Sequence, residues 1–186
     1  MTRSMISSLR WLAVVVFLFT ASSSRAQFAI SGMGTGGRES GQNVGQASNS
    51  NGSFTAWGGT GGAYYDFAHL GPLHLGADGR FFIEHSGNST PYGNKLEGGS
   101  GGLRADAHIP LVPLIPYVQA EVGGAGTNNG AEPTLTTGFL YQMQFGLDIT
   151  ILPHVDLRGE YGVGQILLEG NDPTLQQFGG GLVLRL

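Results

Sequence analysis

Charged and apolar residues are sorted onto opposite parities along much of this chain, and that sorting leaves few folds open. In the stretch 104–122, RADAHIPLVPLIPYVQAEV, the residues Arg104, Asp106 and His108 alternate with Ala105, Ala107 and Ile109. Past a proline-studded apolar knot, Tyr117, Gln119 and Glu121 alternate with Val118, Ala120 and Val122. Successive side chains of a strand point to opposite faces, so this is a hairpin with one polar and one apolar face. The same sorting recurs elsewhere. Asp78, Arg80 and Glu84 oppose Leu75, Ala77, Phe81 and Ile83. Gln142, Gln144 and Asp148 oppose Phe139, Tyr141, Met143, Phe145, Leu147 and Ile149. Asp156, Arg158 and Glu160 oppose Val155, Leu157, Tyr161 and Val163. Phe82, on the polar side of its segment, is an exception.

Eight such segments span residues 28–36, 54–67, 74–85, 98–109, 116–127, 137–149, 155–167 and 175–186. Most match the ~9–11 residues of a tilted membrane-spanning strand rather than the ~5–6 of a soluble one. Their connections alternate in kind. The first, third, fifth and seventh (37–53, 86–95, 128–135 and 169–174) are polar. The second, fourth and sixth (68–73, 110–115 and 150–154) are short, largely apolar and carry Pro. In an up-and-down meander, odd and even connections lie at opposite ends. Long outer loops and short inner turns mark a bacterial outer-membrane barrel.

Composition and the first residues agree. The opening has a basic start with Arg3 and Arg10, an apolar run from Trp11 to Thr20, and a small-residue tail ending Ser24-Arg25-Ala26. That is the layout of a secretory signal peptide, expected over 1–26, with a barrel domain over 27–186. The run is far short of the ~20 residues of a spanning helix. Without cysteine there is no disulfide framework and no thiol chemistry. Removing the leader leaves six basic residues against thirteen acidic ones, with Lys95 the single lysine. That balance argues against nucleic acid as a partner. Charged residues make up 12% of the chain, about half the usual ~25% share, as a large lipid-facing surface requires.

Which face points where follows from export and from the kind of charge. The charged face mixes both signs with almost no Lys, and Arg suits bidentate pairing where water is scarce. The expected interior network is therefore Asp78, Arg80, Glu84, Arg104, Asp106, Gln119, Glu121, Gln142, Gln144, Asp148, Asp156, Arg158, Glu160 and Arg185. Eight strands enclose a space that side chains just fill, so no wide pore is expected. Arg104 is expected to reach Glu121 diagonally across its hairpin. Trp57, Tyr65, Phe67, Phe81, Tyr117, Phe139, Tyr141, Phe145, Tyr161 and Phe178 are expected to form girdles at the two membrane interfaces.

With these features the chain resembles the small eight-stranded outer-membrane β-barrel proteins, the OmpA/OmpX-like group, over residues 27–186. The resemblance implies an antiparallel up-and-down transmembrane barrel surrounded by outer-membrane lipid. It also implies periplasmic chaperones and the barrel-assembly machinery as partners during biogenesis. The machinery reads a last strand with outward apolar residues; here Phe178, Leu182, Leu184 and Leu186 share parity opposite Arg185. The chain departs from the group in ending on Leu186 rather than an aromatic.

Specific chemistry is sparse. Some barrels of this size modify lipid A with Ser, His and an acid. Candidates would be His85 with Ser86, Ser89 or Ser100, and Glu84 or Glu97, but adjacent strand residues face opposite ways. GMGTGG at 32–37 lacks the strand–helix setting of a dinucleotide loop. His69, His74, His108 and His154 flank separate Pro turns and are expected to sit apart around a rim, as interface anchors rather than metal ligands. No cofactor is expected. The reading is a non-enzymatic membrane barrel whose loops bind external partners, with a lipid A-modifying enzyme, a narrow channel and a soluble β-barrel carrier as alternatives.

Overall fold

The sorted segments become a single closed sheet. A computed structural model describes residues 27–42, 51–87, 93–109, 111–128, 134–168 and 172–186. Its strands are β1 (Gln27–Gln42), β2 (Asn51–Leu70), β3 (Leu73–Ser86), β4 (Asn94–Ala107), β5 (Leu114–Thr127), β6 (Thr136–Leu152), β7 (Val155–Leu167) and β8 (Thr174–Arg185). Each pairs antiparallel with its sequence neighbours, and β1 pairs with β8, which closes the barrel. Closure leaves no sheet edge with unpaired N–H and C=O groups, the condition for crossing lipid with strands.

All eight expected segments form strands, although β4 stops at Ala107, short of the expected 109, and several run further than their apolar alternation does. β1 and β2 stay in register out to Gln42 opposite Asn51, through the polar residues expected to be loop. Ladder hydrogen bonds need no apolar side chain, so pairing continues where the period-two pattern stops. The expected leader at 1–26 and parts of the polar connections (43–50, 88–92, 129–133 and 169–171) lie outside the described residues.

At the other end the turns are tight. Gly71 and His154 take left-handed backbone conformations, with φ of 65° and 70°. Glycine does so freely, and His is among the residues that tolerate it better than most. The turns are stitched to neighbouring strands: the His108 N–H donates to the Pro72 carbonyl at 2.7 Å, and the Arg185 N–H to that of His154 at 2.9 Å. Both ends of the barrel strand order, Gln27 and Arg185, lie at this turn end.

The faces separate cleanly. Met143, Phe145, Leu103, Val122 and Leu182 are outward and exposed, whereas their neighbours in sequence turn inward. The interior is layered. Towards the loop end Phe82, Leu96, Ala125, Leu140, Ile166 and Leu175 form a buried apolar cluster. This is why Phe82 stands on the polar side of β3: it belongs to an apolar stopper inside the barrel. Its ring fills the space of an absent side chain, since a Cβ on Gly98 would lie 2.7 Å from it. Below the stopper the interior is mostly polar, with Ala29, Tyr64 and Val183 as a second, small apolar cluster.

Candidate functional site in the barrel interior and turn-end rim

The fourteen residues expected inside all lie on inward-facing positions. Twelve are buried, and Glu160 and Arg185 are half-buried. Three arginines organise them. The Arg80 Nε lies 2.9 Å from Glu121 Oε1 and 3.3 Å from Asp78 Oδ1. Its Nη1 reaches Glu160 Oε1 at 2.7 Å, and its Nη2 donates to Gln119 Oε1 at 2.6 Å. Arg158 grips Asp148 with a two-point fork, Nε to Oδ1 and Nη2 to Oδ2, each at 2.7 Å. Arg104 donates to the same Asp148 at 3.0 Å and to Asp106 at 3.1 Å. Planar guanidinium groups suit such shared carboxylates better than ammonium groups do.

The surplus of carboxylates is met by neutral donors. Ser100 and Gln142 both donate to Glu121 Oε2 at 2.7 Å, and the Tyr117 hydroxyl donates to Glu160 Oε2 at 2.8 Å. Thr127 donates to Glu39 at 2.5 Å. At the turn end Arg185 pairs with Asp156 and donates to Thr150 Oγ1 at 2.7 Å.

Two expectations are corrected here. Arg104 does not reach Glu121, which Arg80 occupies from β3. Glu121 stands opposite Gly102 and Arg80 opposite Ser100, so Arg80 passes over small residues of β4 to reach β5. Tyr117 belongs to no girdle: it is buried inside, 3.8 Å beneath the Arg104 guanidinium and 4.6 Å from that of Arg158. Tyr64 lies against the same two arginines, so the cations are layered on aromatic faces. Gly146, opposite Tyr117, leaves room for its ring; a Cβ there would come within 2.1 Å of it. The other nine expected girdle aromatics are outward and exposed. Phe178, Leu182, Leu184 and Leu186 also face out.

The histidines are not spread around the rim. His69, tilted, and His108, stacked, lie against His74 with ring centroids 4.1 and 4.0 Å away. Beneath them lie Asp66 and Asp106, which are buried. His154 is exposed in its own turn. The local cause is a β-bulge between Asp66 and Ala68. With unbroken alternation, inward Tyr64 and Asp66 would put His69 outside. The extra residue flips the parity, and His69 comes to stand opposite inward His74.

His85 and Ser86 point to opposite faces, His85 exposed and Ser86 buried. Ser89 lies outside the described residues. Glu84 is buried and takes a hydrogen bond from Gln177 at 3.4 Å. No nucleophile–base hydrogen bond occurs among the described candidates.

Residues 11–185 match the family model described as outer membrane protein beta-barrel domain. Among solved structures, Neisserial surface protein A is similar with a TM-score of 0.63 at 17% identity, over 87% of this chain and 99% of that one. Ail, the attachment invasion locus protein of Yersinia pestis, in complex with the heparin analogue sucrose octasulfate, gives 0.51 at 13% over 87% and 100%. OprG from Pseudomonas aeruginosa gives 0.50 at 10% over 87% and 96%. No curated protein matches the sequence. At these identities the likeness is one of fold.

Proposed function

Because this chain belongs to the outer membrane β-barrel domain family and resides in the outer membrane, we propose that it is a non-enzymatic, non-conducting barrel. Its body is a structural element of the membrane, and its loop end engages partners outside the cell. The observation that carries this reading is the filled interior. Arg104, Arg158, Gln119, Gln144, Phe82, Leu96 and Leu140 are all less than 2% exposed. They come from β3 to β7, and the pairs Arg80–Glu160, Thr127–Glu39 and Gln177–Glu84 join strands across the lumen. Moving an ion through would require breaking the Arg80 and Arg158 clusters or displacing the apolar stopper.

In this reading the tight turns face the periplasm and the polar loops face out. Ail, similar in fold, holds a sulfated sugar analogue. That precedent supports an outer ligand without naming its class for this chain. Periplasmic chaperones and the barrel-assembly machinery, reading the outward Phe178, Leu182, Leu184 and Leu186, complete the proposed partners.

Planar-bilayer recording on the refolded mature chain tests the closed body. The expected result is no resolvable conductance step. Regular single-channel openings would overturn the closed-plug reading in favour of a narrow channel. Lipid A from cells with and without the protein should have identical acyl composition by mass spectrometry; a changed acyl chain would restore the enzyme reading.

A further inference from the structure

We propose that the turn-end rim is a binding site for one divalent transition-metal ion of the zinc class. Two ligand triads share His74: Asp66, His69 and His74 on one side, and His74, Asp106 and His108 on the other. Within each triad the ligand atoms lie within 4.8 Å of one another. In a tetrahedral zinc site with bonds of ~2.0–2.2 Å, two donors of one ion stand ~3.3–3.6 Å apart. Side-chain rotations that close the clusters to that spacing bring a set drawn from both triads, around the shared His74, onto a single ion.

Three features show that the fold builds this convergence. The bulge after Asp66 turns His69 inward onto His74, and bulges commonly re-aim a side chain next to a functional site. The His108 N–H donates to the Pro72 carbonyl at 2.7 Å, tying the two adjacent turns together so that His108 stacks on His74. Gly76 makes room below: a Cβ there would lie 2.6 Å from Asp66 Oδ1.

A buried carboxylate oxygen of the rim is also left without a hydrogen bond. Asp66 is 1% exposed, and its Oδ1 makes no hydrogen bond. Asp106 Oδ1 lies 3.1 Å from His108 Nδ1 and 3.7 Å from His74 Nδ1, so a carboxylate oxygen and two imidazole nitrogens converge on one spot. Buried polar atoms without partners are rare in native proteins and call for an ion, a water or a proton. Two carboxylates below three imidazoles supply both the negative charge and the neutral nitrogen lone pairs that a cation needs. Mixed imidazole and carboxylate donors favour zinc, nickel or copper over magnesium or calcium.

The test is calorimetric titration of Zn²⁺, with Mg²⁺ as comparison, into the full mature chain refolded in detergent near neutral pH and free of any polyhistidine tag. Saturable uptake of one Zn²⁺ per chain is expected, with no saturable Mg²⁺ uptake. His74→Ala and His108→Ala should each weaken Zn²⁺ binding at least ~10-fold, a loss that even indirect changes at metal sites produce. His85→Ala and His154→Ala should leave it unchanged. Retention of the unboiled gel mobility checks that each variant is folded. If an imidazole variant fails that check, Asp66→Asn, which keeps the side-chain shape, takes its place with the same expectation. No saturable Zn²⁺ uptake by the folded chain, or uptake undiminished in all the folded rim variants, would overturn the proposal.

Discussion

Replacing Arg80 by Leu lowers the unfolding free energy of the barrel by about 3–5 kcal/mol, the usual cost of removing one partner from a buried ionic cluster. Arg80 is the cation nearest to Glu121, Asp78 and Glu160, and it also holds Gln119. The leucine fills much of the vacated volume but answers none of those oxygens. Ser100, Gln142 and Tyr117 still satisfy one oxygen each of Glu121 and Glu160, which keeps the loss from being larger. Urea unfolding in lipid vesicles, followed by the loss of the folded gel band, measures the change. The double variant Arg80→Leu with Glu121→Gln should recover part of the loss, because it removes one of the stranded charges and the two sites interact directly. A drop below about 1 kcal/mol for Arg80→Leu would mean that water already solvates these carboxylates, and the lumen would then be open.

Met143→Arg costs about 2–4 kcal/mol, the range for Arg on the lipid face near the middle of a bilayer. Met143 lies near the centre of β6, points outward and is 45% exposed. If its outer face met water, the same substitution would change stability by no more than about 0.5 kcal/mol, as surface changes usually do. The contrast is large because the penalty comes from desolvating a guanidinium, not from packing. Equilibrium unfolding of both proteins from the same vesicles provides the comparison. Stability equal to that of the parent would place β6 against water.

Across β3 to β8 the inner or outer face of most residues was legible because membrane and lumen impose opposite polarity on alternate positions. Asp148, Arg158 and Gln144 needed only their parity to be placed. Which residues pair inside was not legible. Arg80 reaches Glu121 across the glycine-rich middle of β4, and that choice depends on strand tilt and on side-chain room, neither of which a one-dimensional pattern contains. The girdle expectation for Tyr117 rests on its residue type, although its parity matches Gln119 and Glu121. Parity was the better guide, since the phenol ring serves as a platform for Arg104 and Arg158.

The histidine rim failed for a different reason. A bulge adds one residue and reverses every face assignment beyond it. The sequence places His69 in the connection 68–73; alternation continued from Tyr64 and Asp66 would turn it outward, and the bulge stands it inward in the fold. His108 lies just past the end of β4, where alternation no longer applies, and only the contact between two turns brings it to His74. Phe82 was a visible anomaly with no visible cause. Its partners Leu96, Leu140, Ile166 and Leu175 come from four other strands, and only closure of the sheet brings them together.

The central claim is that the apolar face of this closed sheet meets lipid and its charged face is enclosed. The chain contains no cysteine, so single nitroxide labels can be attached at Val118→Cys, Ala120→Cys and Met143→Cys without background. All three positions face outward on β5 and β6. Power-saturation spectroscopy in vesicles then compares relaxation by oxygen, which concentrates in lipid, with relaxation by a water-soluble nickel chelate. The account predicts strong oxygen relaxation and almost none from the chelate at all three labels. Strong relaxation by the chelate at these positions would contradict it, because the apolar face would then be in water.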